Sequence, residues 1–268
     1  MTGIEIPILK AGGSDTLPDP IAAHAAGRFS DAGVLILKDL FPANRIAALH
    51  DAYSGRYGDV THRTAAPHIK EVGDKRQMIA LDVAGDFADP DVFANPVVLS
   101  IAGALLGGDF ILGSYVAVTS MPGAKAQRLH ADQEGLFGDT SLDAGVPAYS
   151  VTLVIPLVDL NPTTGSTQFF PGSHRDAALA GTVDTADGIA PDLAPGDAIL
   201  FDSRISHGGM ANRSKAPRPI LYCTYHRAWY RDVSNFRDMP PMQIDRAALD
   251  GMAEDHQWLV SWAVREGD

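Results

Sequence analysis

The sequence predicts a mainly β fold with flanking helices, an antiparallel sandwich or barrel for which a jelly roll is the natural candidate. Short β-rich runs crowd the chain from about Asp109 onward, Gly, Pro and Asn separate them, and few helical segments intervene. A parallel sheet would instead need strands alternating with helices.

The elements follow in chain order. Ile21 to Phe29 has amphipathic helical spacing, Val34-Leu-Ile-Leu37 reads as a strand, and Asn44 to Tyr53, apolar at Ile46, Ala47 and Leu49, reads as a second helix. Pro42 suits that helix's start and the region from Gly55 to Gly58 its end. The β-rich runs are Phe110 to Met121, Tyr149 to Leu160, Thr167 to Phe170, Asp197 to Phe201 and Pro219 to Tyr225. Asn161-Pro followed by Thr-Thr-Gly165 marks one tight reversal, and Pro195-Gly-Asp197 another. A last helix is expected over about 245–264, with Trp258 and Trp262 on one face. No linker rich in Pro, Gly or Ser divides the chain. Residues 1–268 are therefore predicted as one domain, with a helix-rich part to about residue 108, a jelly-roll core over about 109–230, and the C-terminal helix.

Composition narrows the function. The 268 residues, 46% of them hydrophobic, suffice for one sizeable core. A net charge of −12 without any basic run excludes the electrostatic footprint of a nucleic-acid binder. Residues Met1 to Gly13 lack the basic start and apolar core of a signal peptide, and no stretch has the length of a membrane span, so the expected setting is the cytoplasm, away from membranes. Cys223 is the one cysteine: it permits no internal disulfide or Cys-rich zinc site, and inside an apolar run it reads as a small buried hydrophobe. Any metal must be bound by His and carboxylates. Nucleophile-elbow, phosphate-loop and dinucleotide fingerprints are missing from the sequence.

Two His and one carboxylate on one face of an octahedron suit iron(II) and leave three positions open. The first half of that pattern is His-x-Asp, which nine His and 33 acidic residues produce by chance roughly once in such a chain. Here it occurs twice, as His130-Ala-Asp132 and His174-Arg-Asp176. His130 follows a long β-type run, and the distance along the chain to His207 leaves room for several strands to bring the two together. The competing set would be His174, Asp176 and His226, but Asp176 opens the Ala-rich stretch Ala177 to Ala180, which reads as a surface turn. His207 comes just after the strand signal ending at Phe201 and precedes Gly208-Gly209, where small residues allow close approach. Arg218 starts the next strand. Alternation puts Arg218, Ile220, Tyr222 and Thr224 on one face, and Leu221, Cys223 and Tyr225 on the other. A guanidinium inside a barrel needs a partner, which a dicarboxylate supplies through a two-point fork; an exposed edge Arg is the commoner alternative.

Together these residues resemble the phytanoyl-CoA dioxygenase family of iron(II)/2-oxoglutarate oxygenases, which includes many natural-product tailoring enzymes. The resemblance rests on His130-Ala-Asp132, the run from Asn161 through Pro171-Gly-Ser-His174, Gly196-Asp-Ala-Ile-Leu-Phe-Asp202, His207 and Arg218. With the entry region Gly33 to Pro42, it covers about Gly33 to Trp229. It implies that the jelly roll is a double-stranded β-helix of the cupin-like kind, with iron held by His130, Asp132 and His207 and 2-oxoglutarate anchored by Arg218. Gln127 and Thr167 would help hold the cosubstrate, although Gln127 differs in strand parity from His130 and would need a bend. Either Lys75 or Arg76 would supply a basic residue facing the pocket. His174 would satisfy backbone groups near the barrel mouth, and Asp132, a carboxylate, argues against halogenation. The expected reaction is hydroxylation of a small-molecule metabolite, with 2-oxoglutarate and O2 converted to succinate and CO2. Two other readings of the same barrel stay open: a cupin-type metal enzyme without 2-oxoglutarate, and a non-catalytic ligand-binding jelly roll.

Overall fold

In the computed structural model, which describes residues 4–12, 15–58, 68–133, 135–138, 140–176, 187–233 and 235–264, the chain begins with β1 (Ile8–Lys10), α1 (Asp19–Ala32), β2 (Val34–Lys38) and α2 (Ala43–Tyr57). There follow β3 (Ile69–Glu71), β4 (Arg76–Ala80), α3 (Pro90–Phe93), α4 (Pro96–Leu106) and β5 (Phe110–Ser120). The remainder is α5 (Thr140–Asp143), β6 (Ser150–Pro156), β7 (Thr167–Phe169), β8 (Ala198–Asp202), β9 (His207–Gly209), β10 (Arg218–Arg227), α6 (Arg246–Asp250) and α7 (Glu254–Gln257).

Eight strands form the major sheet in the order β1-β2-β8-β6-β10-β5-β4-β3. Only β1 and β2 pair in parallel; the other neighbours are antiparallel. The minor sheet is β7 against β9, widened by backbone bridges from Phe169 to Ile189 and from His207 to His130. Two such sheets make the jelly roll that the sequence predicts.

Each face of the major sheet has a separate partner. Leu221, Cys223 and Tyr225 of β10 join Tyr115, Ala117, Leu153 and Leu200 in a core that also takes in Phe29, Ile46, Leu49, Val97, Val98 and Ile101 from the helices. The Tyr225 hydroxyl donates to the carbonyl of Phe93 at 2.7 Å, which satisfies a polar group buried under that cover. The opposite face carries Ile220, Val154, Ile199 and Phe201, which pack on Phe169 and Ile205 of the other layer. Strand alternation therefore sorts residues between the helical cover and the barrel interior, as the β10 pattern predicts.

Several elements differ from the sequence reading. Helix α4 shows no strong amphipathic stripe because the face opposite its buried residues Val97, Val98, Ile101, Ala102, Leu105 and Leu106 carries Leu99, Ser100, Gly103 and Ala104, none of them charged. Its start is nevertheless encoded: Pro96 sits in the first turn and the Asn95 side chain accepts from the backbone N–H of Val97 at 3.0 Å. The hairpin of β3 and β4 was also not foreseen. The single helix expected over about 245–264 is instead α6, α7 and a short turn at Ser261–Ala263. Gly251 closes α6 and the backbone at Ala253 is extended, so the helix restarts there. Trp258 packs edge-on against Phe110, while Trp262 donates to the Leu112 carbonyl at 3.1 Å. The Ala177 to Ala180 turn lies outside the described residues.

Candidate active site

The site begins with a backbone splice. His130 and His207 exchange two backbone N–H to carbonyl hydrogen bonds, each 2.9 Å, so one residue pair on the minor sheet fixes both imidazoles. Each ring then has one nitrogen committed. Nδ1 of His130 lies 3.0 Å from the Arg128 carbonyl and Nδ1 of His207 lies 2.9 Å from the Ile205 carbonyl. A carbonyl only accepts, so both Nδ1 atoms carry the proton and both Nε2 atoms keep a free lone pair. Those Nε2 atoms lie 3.7 and 3.6 Å from the same Asp132 carboxylate oxygen. Burial pulls the His207 pKa down, with the Asp132 charge opposing and His130 adding to the fall. The neutral imidazole that metal ligation requires is thereby favoured.

Among the described residues, His130, Asp132 and His207 are the one group of three such side chains whose ligand atoms converge, all within 4.8 Å of one another. The competing set does not assemble. His174 donates through Nε2 to the Ser30 carbonyl at 3.0 Å, the structural task expected of it, and His226 is buried edge-on against Tyr230.

A cavity of about 500 Å3 opens beside the triad. Arg218 lines it, 2% exposed. One of its guanidinium nitrogens donates to the Gly165 carbonyl at 2.6 Å, while Nε has no partner. The Asn161 turn presents that carbonyl: the Asn161 side chain accepts from the N–H groups of Thr163 and Thr164, and Gly165 takes a left-handed φ of 82°. Burial lowers the Arg218 pKa, yet a guanidinium remains charged. A buried cation with no carboxylate beside it is costly until an anion arrives.

Gln127 and Thr167 both line the cavity. The chain approaching His130 is irregular, which provides the bend that Gln127 needs. Its side-chain carbonyl accepts from Gly209 N–H and its amide donates to Val72 O, each at 3.0 Å. Burial raises the Tyr222 pKa, with Arg218 opposing and, more weakly, the Thr167 hydroxyl. Neither Lys75 nor Arg76 lines the wall. Arg76 lies just behind it, 1% exposed, donating to the carbonyls of Lys125, Gly209 and Met210, with its pKa brought down to about 10 by burial and then by Arg218. The basic groups on the wall besides Arg218 are Lys70 and Arg128, which sequence reasoning missed, as it missed Gln133, Asp232, Asn235 and Phe236. Most of these lie in irregular segments, where periodicity carries no signal.

The cavity's far end is hydroxylic. Ser114, Thr152, Ser203 and Thr224 line it, and Thr152 hydrogen-bonds with both Thr224, at 3.2 Å, and Ser203, at 3.4 Å. Between this end and Arg218 stand the apolar side chains of Met78, Val116 and Val118.

A jelly roll in which two imidazoles and one carboxylate face a common point beside an open cavity is the arrangement of mononuclear non-haem iron oxygenases. The chain belongs to the phytanoyl-CoA dioxygenase family, whose model matches residues 29–220, and it is an iron(II)- and 2-oxoglutarate-dependent dioxygenase. It is 26% identical over 247 residues to "Dioxygenase trt7" of Aspergillus terreus, covering 91% of this chain and 85% of that protein. With "Dioxygenase olcK" of Penicillium canescens the identity is 24% over 237 residues, covering 86% and 77%. Among solved structures, the non-haem α-ketoglutarate-dependent epimerase SnoN from nogalamycin biosynthesis superposes with a TM-score of 0.61 at 19% identity, covering 81% of this chain and 86% of that one. EctD from S. alaskensis, crystallised with 2-oxoglutarate and 5-hydroxyectoine, gives a TM-score of 0.60 at 22% identity, covering 82% of each. These two likenesses show the shared fold. No helix among the described residues is long and apolar enough to cross a membrane.

Proposed function

We propose that this dioxygenase hydroxylates a C–H bond of a small-molecule metabolite in natural-product biosynthesis, as a single cytoplasmic domain, with O2 and 2-oxoglutarate consumed and succinate and CO2 released. In this reading His130, Asp132 and His207 hold iron(II), and Arg218 receives the distal carboxylate of 2-oxoglutarate. The observation that carries it is the pairing of the converging triad with a buried guanidinium that lacks an acidic partner. When bound, the iron supplies the redox chemistry of oxygen activation. The protein's own part is placement: two Nδ1–H bonds aim the imidazoles, Arg218 orients the diacid, and Met78, Val116 and Val118 keep water from its chain.

Cosubstrate and substrate occupy different lengths of the cavity. The terminal carbons of a five-carbon diacid lie about 5 Å apart, since four bonds of about 1.5 Å separate them in zigzag. Along β10, Arg218 and Thr224 are about 20 Å apart at the strand rise of about 3.3 Å per residue. The hydroxyl-lined end therefore remains for the substrate, and the mixture of hydroxyls, Gln133 and Phe236 there suits a molecule with both polar and apolar faces. Of the other barrel chemistries, a three-His cupin centre lacks its third imidazole among the described residues.

The test is anaerobic addition of iron(II) and then 2-oxoglutarate. A weak visible charge-transfer band that needs both is the expected result, and succinate should form once oxygen is admitted. If the metal binds without producing that band, the diacid assignment fails.

A further inference from the structure

After β10 the chain contributes Asp232, Asn235 and Phe236 to the cavity wall, and side-chain hydrogen bonds tie it to the loop that carries Asp132. Asn235 donates through Nδ2 to the backbone carbonyl of Asp132 at 2.8 Å. The same amide reaches Asp232 at 3.0 Å, and Asp232 also accepts from the Asn235 backbone N–H at 3.0 Å. Gln133, the residue after Asp132, donates to that Asp232 carboxylate at 2.6 Å and accepts a hydrogen bond from the Tyr230 hydroxyl. On the far side, Lys70 of β3 donates to the Asn235 carbonyl at 3.2 Å. Asp232 and Asn235 line the cavity themselves.

The ligand loop needs such a fastening. His130 is fixed by its backbone splice to His207, and Gln133 by an N–H bond to the Ser203 carbonyl at 2.9 Å. Between them Asp132 belongs to no strand, and both of its close side-chain neighbours are the two imidazoles. Among the described residues, no side chain of the barrel wall hydrogen-bonds to its carboxylate. We propose that Asn235, held by Asp232, Gln133 and Tyr230, is a positioning residue that fixes the Asp132 carboxylate against the two imidazoles and so sets iron affinity. This rests on the reading of the triad as the iron site. Partners that orient metal ligands in this manner typically account for 10–100-fold in affinity.

The test is an anaerobic iron(II) titration against a chromogenic chelator, on the full chain, for the parent and for Asn235→Ala. Iron binding by the variant should be about 10–100-fold weaker. Its 2-oxoglutarate affinity, measured by calorimetry at saturating iron, should stay within about twofold, because the distal carboxylate is held by Arg218, whose hydrogen bond runs to Gly165 and not to Asn235. A merely structural lesion would weaken both. As a second line, Gln133→Glu sets two carboxylates against each other and should weaken iron binding; adding Asp232→Asn restores a donor–acceptor pair and should recover part of the loss. Parent-like iron affinity in Asn235→Ala, or a double variant no better than Gln133→Glu alone, overturns the proposal. A parent protein that binds no iron overturns instead the underlying reading of the triad.

Discussion

Replacing Arg218 by Met should act in opposite directions on the liganded and the empty protein. The guanidinium is 2% exposed, has a single hydrogen bond to Gly165, and its neighbour Arg76 adds repulsion. In the proposed complex with 2-oxoglutarate it would be half of a buried ion pair, and breaking such a pair costs roughly 3–5 kcal/mol, or about two to three and a half decades of affinity. Without the cosubstrate, an apolar side chain of similar volume relieves a desolvation cost, a change typically worth about 1–4 kcal/mol in favour of folding. The lost bond to Gly165 offsets about 1 kcal/mol of that gain. The variant should therefore melt no lower than the parent without ligand while binding the diacid at least 100-fold more weakly. Calorimetric titration into the iron-loaded protein and a thermal scan of the empty one give the two numbers. Undiminished affinity would refute the anchoring role, and a large drop in melting temperature would show that Arg218 serves the fold.

Other consequences are equally open to measurement. His207→Ala removes one of the three proposed ligands, so reconstitution should leave well under one iron per chain by metal analysis; full stoichiometry would contradict the assignment. Burial brings the His226 pKa from 6.5 to about 4, so the folded state resists a proton that the unfolded chain accepts. Its contribution is intact above about pH 6.5 and is lost progressively as the pH falls toward 4, on the order of 3 kcal/mol in all; denaturant midpoints of the parent should drop across that window, and those of His226→Gln should drop less. Gly33→Ala places a Cβ 2.4 Å from the His174 ring at a φ of 77°, and the combined strain and overlap should destabilise the fold by roughly 2–4 kcal/mol in urea unfolding.

Sequence patterning captured those parts of the molecule where a strand has two unlike faces. In β10, Arg218 and Thr224 reach the cavity while Leu221 and Cys223 join the helical core, because a period of two leaves no other choice. One departure from regularity is a bulge where β10 passes β5 near Thr224 and Tyr225. The extra residue on β5 is Gly113, and any Cβ there would overlap the His226 ring at 2.1 Å, so the glycine was informative although its reason needed the partner strand. Helix α4 was illegible because its two faces are too alike: the outer one, Leu99, Ser100, Gly103 and Ala104, has no charged residue to mark it as solvent-facing. The site's backbone splice between His130 and His207, and the fastening by Asn235, depend on contacts between segments far apart in sequence and short of regular structure. No local pattern encodes them.

The paired backbone bonds between His130 and His207 have a consequence for how the protein meets metals in a cell. Many small metal centres exist only once the ion has gathered its ligands, so stripping the ion unravels them. Here peptide groups do the gathering, and a chelator should yield a folded apoprotein that takes up iron again without refolding. Such a scaffold has little power to refuse a wrong ion: zinc and nickel bind nitrogen and oxygen donors at least as tightly as iron(II) does. Which ion occupies the pocket would then be decided by the cell's free metal pools, and inhibition by competing divalent ions should be reversed by excess iron.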